Sequence, residues 1–108
     1  DQLLEASRSL ATRVLSDRAV DPSYDDEARA KALYQRVTGD QADARTIDAL
    51  RRTLAQFRER YAAAPDDATR LLAVGEAPVS VEIDQGELAA WTMVAGAVLA
   101  SDAAITRD

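Results

Sequence analysis

The sequence predicts an all-α fold, a compact bundle of four to five helices forming a single domain over residues 1–108. Three observations lead there. Apolar residues recur at steps of three and four along successive segments, the period of a helix with one buried face. Ala is the most frequent residue, and it carries the best helix propensity because it loses no side-chain entropy. Gly and Pro fall between the periodic segments rather than inside them, Gly96 excepted. With 108 residues and few aromatics, the core is thin and the helices must approach closely across small side chains.

The first helix is expected from about residue 2 to 16, where Leu3, Leu4, Ser7, Leu10, Ala11, Val14 and Leu15 share a face. Asp17 to Pro22 interrupts it. Ser23 followed by Asp26 has the pattern of an N-cap with acid in the first turn, where the helix dipole favours negative charge. The second helix then carries Ala30, Leu33, Tyr34 and Val37 inward to about Thr38, with Gly39 as a left-handed stop. The longest helix follows, over about residues 44–64. Its Ile47, Leu50, Leu54, Phe57 and Tyr61 draw a narrow seam suited to a neighbouring helix at a shallow angle. An intramolecular hairpin is favoured over an oligomeric zipper, because the seam covers barely two heptads.

Pro65 is expected to end that helix, and Asp66 or Asp67 to cap a short one over Ala68–Val74 closed by Gly75. Residues 76–83 alternate weakly in polarity and read as loop. Asp84 with Glu87 has capping-box spacing. The closing helix sets Leu88, Trp91, Ala95, Val98 and Leu99 on its apolar face, with Trp91 as the largest anchor. Thr92, Gly96 and Ala100 form a second ridge of small residues that admits another helix closely.

Composition excludes several chemistries. The chain has no Cys and no His, hence no disulfide, thiolate zinc site, Cys nucleophile or His general base. A net charge of −6 argues against nucleic acid, which needs a concentrated basic face. No apolar run reaches the roughly 18 residues of a membrane span. The charge is segregated: Arg45, Arg51, Arg52, Arg58 and Arg60 gather in residues 44–65, whereas acids dominate residues 66–108. The chain begins at Asp1 without Met, which reads as a piece of something larger.

Few residues suggest chemistry. Asp21, Asp25, Asp26 and Glu27 cluster, but a calcium loop counted from Asp21 would need Gly where Asp26 stands and Glu where Ala32 stands. They read as a helix N-terminus, with no metal and no cofactor expected. Asp102 continues the apolar stripe of the last helix, and a carboxylate there must find a partner or raise its pKa. Arg51 and Arg58 flank the seam of the third helix, seven residues apart. Such arginines read first as a solvated face. The alternative is docking onto an acidic surface, in the C-terminal third of this chain or in a neighbouring domain, through forked hydrogen bonds. Trp91 and Tyr61 read as core residues rather than as stacking platforms.

The order Val37-Thr38-Gly39, an Arg- and Ala-rich helix ending near Tyr61 to Pro65, then LLAVGEAP (71–78), ELAAWT (87–92) and SDAAITRD (101–108) resembles a known family. It looks like the C-terminal end of the planctomycete domain of unknown function found in multidomain proteins beside planctomycete cytochrome-c-like domains. The resemblance is best over Ala30–Asp108. Family members commonly read Asn-Leu-Asp-Glu where this chain has Ala100-Ser101-Asp102-Ala103, so only the Asp carries over. The resemblance implies a cell-envelope or exported bacterial protein with this piece as its C-terminal module, and it transfers no catalytic residue.

The expected function is a non-catalytic structural or interaction module, not an enzyme, monomeric in isolation and packing on other domains of its parent through the seam or the arginine flank. On that reading, alanine at Arg51 and Arg58 weakens docking and leaves the fold intact. The alternative is a small ligand-binding domain that takes a cation or carbohydrate on the Trp91 and Asp102 face.

Overall fold

Helix α5 (Gln85–Ile105) is 21 residues long and apolar nearly all round, so it can be stable only if covered on several sides. Four other helices provide that cover: α1 (Gln2–Ser16), α2 (Asp26–Thr38), α3 (Ala44–Ala63) and α4 (Pro65–Leu72). All four pack against α5, α1 most extensively. The computed structural model describes residues 2–16, 25–73 and 84–105, and among them every regular element is a helix. The Cα radius of gyration, 13.3 Å, matches the roughly 13 Å of a single packed domain of about 100 residues.

The core is built around α5. Leu88, Ala89, Ala90, Trp91, Thr92, Val94, Ala95 and Val98 are buried on that helix alone. Its inward set is therefore wider than the apolar face and small-residue ridge read from the sequence, because Ala89, Ala90 and Val94 are also buried. Against them pack Ala11, Val14 and Leu15 of α1, Leu33 of α2, Ile47, Leu54 and Tyr61 of α3, and Ala68 and Leu72 of α4. Three residues of the α3 seam are thus buried inside the chain, with α3 packing chiefly on α5, while Leu50 and Phe57 of the same seam are half-buried.

Local chemistry sets most helix ends. Asp43 caps α3, its carboxylate accepting the Thr46 N–H at 2.8 Å. Gly39 ends α2 in the left-handed region (φ 80°) and donates its N–H to the Gln35 carbonyl at 2.8 Å. Two expected boundaries are corrected. The N-cap of α2 is Asp25, which accepts the Ala28 N–H at 2.9 Å; Ser23 lies outside the described residues. Pro65 opens α4 rather than merely ending α3. It sits in the first turn, where its missing N–H has no helical partner to lose, and Asp66 and Asp67 follow inside the helix instead of capping it. The expected Gly75 stop and the 76–83 loop lie outside the described residues.

The small ridge of α5 meets α1. A Cβ at Gly96 would stand 3.2 Å from the Ser7 hydroxyl, and Thr92, one turn earlier, is buried with its hydroxyl donating to the Leu88 carbonyl at 2.7 Å. Ala100, the third member of that ridge, is exposed. Val at position 96 adds two methyl groups beyond that Cβ, at the contact with Ser7 of α1. Gly96→Val should therefore destabilise the domain by about 1–3 kcal/mol and lower Tm by several degrees in thermal denaturation. Gly96→Ala should change Tm little, because helix propensity gained offsets the small displacement of Ser7.

Candidate functional site

The one dense polar constellation among the described residues begins at two helix N-termini. Asp26 lies in the first turn of α2, and Glu87 in the first turn of α5. Acid at both places is favoured by the helix dipoles. Asp84 accepts the Glu87 N–H at 2.9 Å, which is one half of the expected capping box. The Glu87 carboxylate does not return to the backbone to complete the other half. It turns to Arg58 on α3.

Arg58 grips both carboxylates. Its Nη1 and Nη2 donate to Asp26 Oδ2 and Oδ1 at 2.6 and 2.9 Å, the forked geometry that Lys cannot reproduce. Its Nε donates to Glu87 Oε1 and Oε2, each at 3.0 Å, and Nη2 also donates to Glu87 Oε1. The Trp91 indole N–H reaches Glu87 Oε1 at 3.3 Å, so the largest core side chain has its polar atom satisfied by the same group. Arg29 approaches Asp26 at 3.9 Å from the next turn of α2. One guanidinium therefore ties α2, α3 and α5 together.

The electrostatics follow from these contacts. The hydrogen bonds from Arg58 hold the Asp26 carboxyl below its ordinary range against the opposing effect of burial, and the charges of Arg58, Arg29 and Arg51 add to this. Arg58 is in turn held more firmly protonated, first by Asp26 and then by Glu87. Asp43 is also lowered, by the Thr46 N–H it caps. Burial pushes the Tyr61 phenol up. Each shift has a structural cause within the fold.

The four residues singled out in the sequence thus have different fates. Arg58 bonds inward, to the C-terminal helix and to α2. Arg51 is exposed, close enough to lower the Asp26 pKa. Trp91 is 1% exposed and belongs to the core. Asp102 is half-buried and lines a groove of about 350 Å³ with Arg45, Tyr34, Leu50 and Val98. The groove does not include Trp91. Among the described residues no group of acids is arranged to hold a metal ion; Asp25, Asp26 and Glu27 are instead occupied with the Ala28 N–H, Arg58 and Lys31. Sequence reading missed Asp26 and Glu87 as partners of Arg58, and missed Arg8, which is buried on α1 and engaged within the chain. Arg8 lies four residues after Leu4, three before Ala11 and seven before Leu15, so the period of α1 held the signal for its burial.

Comparison of the chain with protein-family models, with curated proteins and with solved structures finds no match.

Two outcomes follow from the clamp. Arg58→Ala should destabilise the domain by about 1–3 kcal/mol, discounted for the third of the side chain that stays exposed, and Arg58→Lys should recover only part of the loss. Urea denaturation checks both. The second outcome concerns pH. Asp26 is lowered from its ordinary 3.8, so its contribution to stability is full above that value and is lost as pH falls through the folded pKa. Asp26→Asn should be less stable at neutral pH and show a shallower loss of stability between about pH 4 and 2.

Proposed function

We propose that this chain is a non-catalytic helical module that packs on other parts of a larger bacterial protein, as the C-terminal piece of the planctomycete domain it resembles. The observation that supports this is the use made of its ionisable groups. Where the described residues shift a pKa, the cause is a helix cap, a buried phenol or the Arg58 clamp, and none of these sets a nucleophile beside an activating base. The chemistry of the chain goes into holding helices in register.

Part of the surface read in the sequence is taken up inside the chain. Ile47, Leu54 and Tyr61 of the α3 seam are buried against other helices of the chain, and Arg58 is held by Asp26 and Glu87. Of the arginine flank, Arg51 stays exposed. The ligand-binding alternative retains Asp102 and its groove, but not Trp91 as a contact residue, because that ring is enclosed by the core.

Calorimetric titration of the 108-residue chain into the remainder of its parent protein tests the module reading. Binding with a negative heat-capacity change is the expected result, the mark of apolar surface buried at a domain interface. A folded, monomeric chain that shows no heat of binding would overturn it.

A further inference from the structure

We infer that the junction of α2 and α3 receives a carboxylate from an acidic segment of the parent protein, on Arg29 and Arg51, an inference that rests on the module reading above and gives it a surface. Arg29 carries, at Nε, the one buried side-chain nitrogen or oxygen found without a hydrogen-bond partner among the described residues. A buried donor left unpaired is costly, and such an atom calls for an acceptor from outside the fold. The side chain of Arg29 still reaches the surface, at 14% exposed. Its ion pair within the chain is a long approach of 3.9 Å to Asp26 Oδ1, an oxygen that already accepts from Arg58 Nη2 at 2.9 Å. Turning this guanidinium to an incoming carboxylate therefore gives up little.

Arg51 is the second half of the site. Asp26 at the start of α2 meets Arg58 near the end of α3, so the two helices run antiparallel across the short link between them. Arg29 lies one turn along α2 from Asp26, and Arg51 lies two turns back along α3 from Arg58, about 10 Å along the axis. Arg58, Arg29 and Arg51 thus follow one another along the line where α2 and α3 pack together. Arg29 and Arg51 are both near enough to Asp26 to help hold its carboxyl down. Arg51 is exposed and makes no ion pair among the described residues, although Asp48 stands three residues before it.

Charge selects the occupant. Three guanidinium groups gather here around Asp26 and Glu87, which leaves positive charge in excess on a chain whose net charge is −6. An excess this small does not suit the backbone of a nucleic acid, which needs a concentrated basic face. It suits a carboxylate, whose two oxygens accept from the forked donors of a guanidinium. The occupant is therefore a segment that aims Asp or Glu at Arg51 and the spare donor of Arg29.

The test uses a short peptide of Glu, Ser and Gly, and a second peptide with Gln in place of each Glu. Each is titrated at low ionic strength into the isotopically labelled chain, and the arginine Nε–H signals are followed. The Glu peptide is expected to shift the signals of Arg29 and Arg51, and to bind about tenfold more weakly to Arg51→Gln. Arg45→Gln removes the same charge on another side of α3 and should bind as the unaltered chain does. Both substitutions are at exposed positions, and circular dichroism checks that the variants fold. Absence of a shift, equal binding of the Gln peptide, or equal weakening by the two substitutions would overturn the inference. So would inorganic phosphate that moves the same signals at lower concentration than the Glu peptide, because the occupant is then a phosphate group. Heat on titration into the parent protein, with the Glu peptide silent, leaves the module reading standing and removes this one. A chain that gives no heat there fails the module reading whatever the peptide does.

Discussion

The organisation of this domain depends on the burial of α5. A helix with a polar face can sit at a surface, but one that carries Leu88 through Ala95 with no charged residue must be enclosed. The other helices are arranged as its enclosure. Because so much of the core is Ala, Leu and Val rather than aromatic, backbones come close, and the fit at positions such as Gly96 matters.

Enclosure alone does not fix how the surrounding helices are disposed, because dispersion and hydrophobic contact are weakly directional. The Arg58 constellation supplies direction. A planar guanidinium with forked donors accepts two carboxylates only in a limited set of orientations, and here they come from the N-termini of two different helices. The dipoles of α2 and α5 favour acid at those ends in any case. Trp91 links the constellation to the core through its indole N–H, so the polar rim and the apolar centre share one residue. Partial exposure keeps the desolvation cost of the charges modest, which a fully buried triad would not.

Much of the local structure was legible in the sequence because its causes are local. Gly39 and Asp84 act within a few residues of themselves, and their roles as stop and cap emerge from spacing and propensity. The failures are also instructive. Ser23 and Asp25 are both good caps, and nothing in the pattern alone chooses between them. Pro65 is equally suited to following one helix and opening the next, and with Ala64 as the lone joint it does both. Leu3 belongs to the same apolar pattern as Leu10 and Val14, yet it remains open at the start of α1.

The sequence by itself determined that this chain folds as helices, roughly where each begins and ends, and that thiol and imidazole chemistry is absent. Tertiary structure decided which polar groups meet. Arg58 lies 32 residues from Asp26 and 29 from Glu87, distances over which no periodicity or capping rule operates. An arginine flanking an apolar seam has the same local signature whether it ends in water, on a partner or between two helix ends. Only the packing of α2 and α5 beside α3 brings their first turns within reach of it. That is why helices could be read from residue order, while the clamp that orients them could not.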